Sequence, residues 1–143
     1  MSPVIRPDTH TLFQIDPTWF EQNGRDVREE MHAALCPGCR ALYPTPADAP
    51  TVDRVNPQTG EVTRVDALWE CLADHCGRQP EFITPTTPLV TALFRALLAN
   101  GNNPLSPEQF RKRVGKSSAA GILRLLLSAE IENGVVPLED ART

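Results

Sequence analysis

The positions of four cysteines constrain this chain more than any other feature of its sequence. Two of them bracket the tetrapeptide CPGC at residues 36–39, and Cys71 and Cys76 lie with His75 in the segment DALWECLADHC. Two pairs of soft donors can surround a metal ion tetrahedrally, and Zn²⁺ is the usual ion for thiolate and imidazole sets. The spacing therefore predicts a structural zinc site with Cys36, Cys39, Cys71 and Cys76 as ligands and His75 as the alternative ligand.

The cellular compartment decides whether these cysteines could form disulfides instead, because disulfides persist only where thiols are oxidised. The start of the chain, MSPVIRPDTH, lacks the apolar core of a signal peptide. No apolar run approaches the ~20 residues of a membrane span, since the most apolar stretch, AAGILRLLL, is short and contains Arg124. We expect a cytoplasmic protein, in which four cysteines indicate metal ligands or buried thiols rather than disulfides.

The second ligand pair depends on where a predicted helix ends. Asp66 is expected to cap a helix through ALWECLADH, in which successive residues advance by about 100°. Positions 71 and 75 would then lie about 40° apart, and positions 71 and 76 about 140° apart. A helix that continues to residue 76 favours His75 with Cys71, and a helix that ends earlier lets Cys76 turn inward. A third arrangement pairs His75 with Cys76 and leaves Cys71 in the core.

The segments between the two pairs suggest a known class of zinc module. The runs TVDRV and EVTRV flank NPQTG, whose Gly60 suits the positive φ that ends many hairpin loops. A CPGC knuckle, a hairpin and a ligand-bearing helix resemble the treble-clef class of zinc fingers, and the knuckle also resembles zinc ribbons. The resemblance covers residues 36–76, and the four-residue gap between Cys71 and Cys76 departs from the family's pattern.

Two other roles for the cysteines are weaker. Cysteines are among the most buried residue types, so Cys71 and Cys76 would suit a core without any metal. A redox role for CPGC needs a helix N-terminus, whose dipole favours the thiolate, whereas the helix predicted over residues 25–35 ends just before Cys36. No phosphate loop, serine nucleophile motif or paired carboxylates occur. We therefore expect no enzymatic activity.

Three helices and a turn are predicted in the second half of the chain. Leu89 to Leu98 form an apolar stripe that Asn100-Gly101 ends, and SPEQ at 106–109 combines an N-cap serine, an N1 proline and a capping-box glutamine. A third helix is expected from residue 117 or 118 to about 128, followed by a minimal hairpin around the Asn-Gly of IENGVV. This order resembles a helix-turn-helix of the winged-helix kind over residues 87–138.

The charge is divided unevenly along the chain, which has a net charge of −4. Residues 1–86 contain 7 Lys and Arg against 13 Asp and Glu, while residues 87–143 contain 7 against 5. A phosphate backbone would therefore be contacted by the second half. The candidate contacts are Arg111, Lys112, Arg113, Lys116 and Arg124. Only Arg124 on the third helix is suited to reading base edges, which argues against sequence-specific binding.

Together these patterns predict a mainly α protein with a small β-hairpin. We divide it into an N-terminal arm at 1–24, a zinc-stapled module at 25–80 and a three-helix winged-helix-like module at 81–143. The expected function is a non-enzymatic factor that binds nucleic acid or a nucleic-acid-associated machine, for instance in transcription. The alternative is a protein-interaction adaptor or accessory subunit whose zinc is purely structural and whose partner is a protein or a second copy. No membrane partner is expected.

Overall fold

A computed structural model describes residues 7–128 and 134–138, and within these residues the chain is mostly helical. Two antiparallel pairs of strands accompany the helices. The elements in chain order are β1 (Phe13–Ile15), α1 (Pro17–Gln22), α2 (Val27–Ala33), α3 (Pro37–Leu42), β2 (Thr51–Val55), β3 (Val62–Asp66), α4 (Ala67–Asp74), α5 (Leu89–Ala99), α6 (Pro107–Val114), α7 (Ala119–Leu126) and β4 (Val135–Pro137), with 3₁₀ turns at Pro46–Asp48 and Cys76–Arg78. None of the helices in this part of the chain is long and apolar enough to cross a membrane.

Side-chain caps start α4, α6 and α7 at the predicted positions. Asp66 accepts a hydrogen bond from the Leu68 N–H at 3.0 Å and opens α4. Ser106 and Gln109 form the expected reciprocal capping box at the start of α6, which ends at Gly115 with a φ of +71°. These bonds satisfy amides that a helix terminus otherwise leaves without partners. The short local signals therefore place α4 and α6 correctly.

The CPGC segment differs from its predicted structure. We expected a turn that follows a helix, but α2 ends at Ala33 and a new helix, α3, begins at Pro37 with Cys36 as its N-cap. Proline suits the first helical position because its missing N–H needs no partner there. The argument against redox chemistry from the absence of a helix start at this point was therefore wrong. The His32 Nε2 lies 2.7 Å from the Tyr43 carbonyl oxygen and ties α2 to the end of α3.

The stretch predicted as an N-terminal arm contributes β1 to the core. Phe13 and Ile15 are fully buried, and β1 pairs on one edge with β4. On its other edge, the Phe13 N–H and carbonyl exchange hydrogen bonds of 2.9 Å with those of Leu105. Thus β4, which follows the predicted Asn-Gly turn, has β1 as its partner. The first strand of the predicted hairpin around that turn lies outside the described residues.

The second hairpin is the one predicted between the two ligand pairs. Strands β2 and β3 pair in the register Thr51↔Asp66 to Val55↔Val62, and Gly60 adopts the expected positive φ of +73°. Most of its side chains are exposed, including the Val55 and Val62 pair at its tip. This hairpin therefore connects the two ligand pairs without adding much to the core.

One hydrophobic core joins the two halves of the chain. Buried side chains from both sides of residue 80 form a single cluster, which includes Met31, Leu68, Leu72, Leu93, Leu97 and Phe110. Helix α5 contacts α4 and the 3₁₀ turn at Cys76–Arg78. The segment that carries the second pair of ligands thus packs directly against the longest helix of the second half.

Candidate metal centre

Two helix ends bring the candidate ligands together. The N-terminus of α3 supplies Cys36 and Cys39, and the C-terminus of α4 leads into His75 and Cys76. Helix α4 stops at Asp74, and His75 has the non-helical angles φ −127° and ψ −67°. This break reorients the chain so that two adjacent residues point toward the CPGC segment. The helix therefore ends early enough for Cys76 to turn inward.

Four donor atoms cluster at this junction. The Sγ atoms of Cys36, Cys39 and Cys76 and one ring nitrogen of His75 all lie within 4.8 Å of one another. The His75 Nδ1 is 3.3 Å from the Cys36 Sγ and 3.4 Å from the Cys39 Sγ. Three thiols and one imidazole at these separations can hold a metal ion, and the chemistry of the donors fits the zinc-binding class predicted from the cysteine spacing.

Backbone amides support the sulfurs. The Cys36 N–H donates a hydrogen bond of 3.3 Å to the Cys76 Sγ, which links the two ligand pairs directly. Burial opposes ionisation of Cys36, but hydrogen bonds from the Cys39 backbone N–H and from the neighbouring Cys76 and Cys39 side chains lower its pKa to about 6. Amides directed at a thiolate are what a metal knuckle requires, because metal ligation needs the deprotonated sulfur.

The other sulfurs are more deeply placed. Cys39 and Cys76 are 4 % and 1 % exposed, and burial raises the pKa of each thiol to about 12. Desolvation disfavours several adjacent thiolates unless a cation accompanies them. A bound divalent ion would supply that positive charge and convert a strained group of thiols into a stable ligand set.

Cys71 occupies the edge of the centre. It is not among the four residues whose ligand atoms are mutually within 4.8 Å, but its thiol interacts with that of Cys39, which lowers the Cys71 pKa against the larger effect of burial. Burial raises the pKa of the Cys71 thiol. The centre thus offers five donors in total, and the observed group of four matches the third arrangement considered above, with His75 and Cys76 as the second pair.

The adjacency of His75 and Cys76 was the feature that helical phase alone could not resolve. In a continuous helix, two successive residues point about 100° apart and cannot both face one ion easily. The break after Asp74 removes this restriction. Gly77 lies within the 3₁₀ turn that follows the break, where an added Cβ would be 2.6 Å from the Ala99 Cβ, so its role is close packing against α5.

The predicted nucleic-acid contacts lie at the end of α6 and on α7, and all five side chains are exposed. Three of them already have partners: Arg111 with Glu108 at 3.2 Å, Arg113 with the Asn100 Oδ1 at 3.2 Å, and Lys116 with the Thr87 carbonyl. In the described part of the chain, the side chains of Lys112 and Arg124 form no hydrogen bond or ion pair. The cationic surface therefore has two side chains available for a ligand.

The chain was compared with protein-family models, with curated proteins and with solved structures. No match was found in any of the three comparisons.

Proposed function

We propose that Cys36, Cys39, His75 and Cys76 bind Zn²⁺ and that this ion is structural. Three thiolates and an imidazole suit zinc, which readily adopts four-coordinate sites. The set provides four protein ligands, so no coordination position remains for a water nucleophile. The same argument supports a non-enzymatic role. Metal analysis of the purified protein under reducing conditions tests this assignment, with one zinc per chain expected and a metal-free protein contradicting it.

We further propose that the protein binds a nucleic-acid backbone through the cationic surface of α6 and α7. The observation that carries this proposal is the exposure of Lys112 and Arg124 without partners in the described residues. Arg111, Arg113 and Lys116 add positive potential around them, on a chain whose net charge is negative. Such a concentrated patch favours phosphate contacts over sequence readout, because phosphates carry most of the electrostatic attraction.

The arrangement of the second half supports a winged-helix-like unit. Helices α5, α6 and α7 follow one another with the short connections of a helix-turn-helix. The bridge at Leu105 lies between α5 and α6 and pairs with β1, and β4 follows α7 and pairs with the other edge of β1. In this proposal β1 takes the place of a strand that a wing hairpin usually supplies.

Binding of fluorescent DNA and RNA duplexes, measured by anisotropy over a series of salt concentrations, tests the nucleic-acid proposal. We expect affinity to fall steeply with salt. The slope should lose about 0.9 for each phosphate contact removed by Lys112→Ala or Arg124→Ala. Arg64→Ala, on the exposed hairpin far from α6 in sequence, is the control and should leave the slope unchanged. Binding that does not change with salt, or that neither Lys112→Ala nor Arg124→Ala weakens, would contradict the proposal.

The alternative function, a protein-interaction adaptor with a structural metal, is favoured by a different observation. A groove lined mainly by apolar residues runs beside the metal centre, on a surface separate from the patch residues of α6 and α7. The two functions are compatible, because the surfaces share no residue.

A further inference from the structure

A groove with a volume of about 740 Å³ lies beside the metal centre. One wall is the end of α2 and the start of α3, and the other is the segment after the 3₁₀ turn at Cys76–Arg78 together with α5. Apolar side chains line it at Ala34, Leu35, Pro37, Pro80 and Phe82. Concave sites with apolar walls and a few directed polar groups are the usual form of ligand and peptide sites.

Two guanidinium groups are the directed polar groups of this groove. One terminal nitrogen of Arg40 donates to the carbonyls of Ala33 and Leu35, at 2.9 and 3.4 Å. One terminal nitrogen of Arg95 donates to the Phe82 carbonyl at 2.8 Å. In the described residues neither arginine has a carboxylate partner, and each has two further nitrogens without a hydrogen bond. Their backbone bonds fix both groups in the groove wall and leave their charges unneutralised.

We infer that this groove binds an extended acidic segment of a partner protein, in which carboxylates alternate with apolar side chains. The Arg95 guanidinium keeps Nε and one terminal nitrogen free on one edge, which suits bidentate binding of a carboxylate, and the free N–H groups of Arg40 can donate single charge-assisted hydrogen bonds. The apolar walls would bury the side chains between the carboxylates. Glu81 is the one acidic side chain that lines the groove, against the two arginines, so the balance of charge favours an acidic ligand.

A nucleic acid fits this groove less well than a peptide. Phosphate backbones are usually bound by exposed cations, and single-stranded bases by exposed aromatic faces. Phe82, the aromatic residue of the groove, is only 6 % exposed and lies under the Arg95 guanidinium, 5.4 Å from its ring centre. No stacking surface is therefore presented here, and the apolar walls would gain nothing from a phosphate chain.

The groove also depends on the metal centre, because Cys36 and Cys76 line one end of it. The test therefore uses the full chain loaded with zinc. Random short peptides displayed on phage are selected on the immobilised protein, and the enriched peptides are synthesised with a fluorescent label. We expect enrichment of carboxylates between apolar residues, and binding that weakens as salt increases.

Two neutral variants measure the contribution of each guanidinium. Arg40→Gln and Arg95→Gln keep an amide donor for the backbone carbonyls and remove the charge, and each should weaken peptide binding about tenfold. Arg64→Gln removes the same charge from the exposed hairpin and should have no effect. Zinc content and circular dichroism establish that each variant is folded.

A second pair of variants tests the charge complementarity without removing any contact. Ala33 is an exposed residue that lines the groove, so Ala33→Glu should weaken binding of the acidic peptides and Ala33→Lys should tighten it. The inference is overturned if no peptide is enriched, if the enriched peptides lack carboxylates, or if the groove variants bind them as the unaltered chain does. Displacement of the peptides by duplex DNA in the Lys112→Ala, Arg124→Ala background would overturn it as well, because the groove would then bind phosphate.

Discussion

Residues 25–80 and residues 87–128 achieve order in different ways. In the first region the three helices have six to eight residues each, and the hairpin between them is largely exposed. In the second, the 11 residues of α5 include five buried side chains, the capped helix α6 packs against α5, and the capped helix α7 packs against α6. The first region has converging candidate ligand atoms in addition to its share of the common core, whereas the second relies on apolar packing and caps.

The contrast shows how a metal site could stabilise short helices that bury few residues. Short helices gain little from their own hydrogen bonds and need tertiary contacts to persist. A metal ion bound by Cys36 and Cys39 on one helix end and by His75 and Cys76 on another would fix α3 against α4 without a large buried surface. The second region, in contrast, is expected to keep its helices when the metal is absent.

Removal of the metal should produce the largest effect and should separate the two regions. With free zinc a thousandfold above its Kd, metal binding contributes about 4 kcal/mol to the free energy of unfolding. Chelation should therefore increase amide exchange strongly in α3 and the end of α4, because their orientation depends on the ligands. Hydrogen exchange followed by mass spectrometry measures both regions in one experiment.

The amides of α6 and α7 serve as the internal control for this comparison. Their caps and buried side chains do not involve the ligands, so their protection should change much less. An equal increase in exchange throughout the chain would show that the two regions form one cooperative unit and would remove the distinction drawn between them.

The next largest effect concerns the identity of the ligands. Cobalt-loaded protein reports each thiolate through its sulfur-to-metal absorption, so loss of one of three thiolates should reduce that band by about a third. Cys76→Ser should show this loss. Cys71→Ser should retain the band and weaken metal binding about 10- to 100-fold, as expected for a residue that interacts with a ligand from outside the ligand set.

His75→Ala is the matched variant for this experiment. It should leave the sulfur band in place and shift the ligand-field bands, because nitrogen is lost from the site. The opposite pattern, with Cys71→Ser losing about a quarter of the band and His75→Ala changing nothing, would identify a four-cysteine site. That outcome would agree with the ligand set expected from the sequence.

Local signals in the sequence predicted much of the fold. The caps at Asp66 and Ser106 and the hairpin turn at Gly60 each depend on a few neighbouring residues, and all three are present in the structure. Such signals do not depend on the rest of the chain. They could therefore be read without knowledge of the tertiary structure.

The features that were missed depend on distant contacts. Helix α3 has only six residues, and its packing rather than its propensity determines whether it forms. The place of β1 is set by Leu105 and β4, about 90 and 120 residues away along the chain, which no periodic pattern in FQI could indicate. The grouping of His75 with Cys76 likewise depends on a helix end that packing against α5 helps to define.

The contact between the two regions is tested by Gly77→Ala. A Cβ at Gly77 would lie 2.6 Å from the Ala99 Cβ and 2.6 Å from the Leu72 carbonyl oxygen, so the 3₁₀ turn would have to move away from α5. Overpacking of this kind typically costs about 1–3 kcal/mol. We expect that loss in denaturant unfolding of the metal-loaded protein.

Gly38→Ala is the matched control for this substitution, because it adds the same methyl group inside the ligand motif. A Cβ at Gly38 meets no atom within 4 Å, and the residue lies in the first turn of α3. Its free energy of unfolding should stay within about 0.5 kcal/mol of the unaltered chain. A neutral Gly77→Ala would mean that the turn and α5 are not tightly packed.

The smallest expected effect concerns a polar contact of the first region, which adds to its share of the core and to its candidate ligands. The Arg28 guanidinium binds both carboxylate oxygens of Asp66, at 2.7 and 3.1 Å, and donates to the Ala49 carbonyl at 3.0 Å. This pair ties α2 to the start of α4 and is mostly buried, with side-chain exposures of 33 % and 22 %. Arg28→Met, which keeps the apolar stem, should lower the free energy of unfolding by about 1 kcal/mol.

Arg64→Met provides the comparison, because Arg64 lies 3.9 Å from Asp53 with 72 % of its side chain exposed. Exposed ion pairs at that distance contribute little, so Arg64→Met should change the free energy of unfolding by no more than about 0.5 kcal/mol. Both variants are measured in zinc-loaded and in zinc-free protein. If Arg28→Met lowers the free energy of unfolding by the same amount in both states, α2 and α4 stay together without the metal. If that loss disappears on chelation, the ion pair forms only when the metal aligns the two helices.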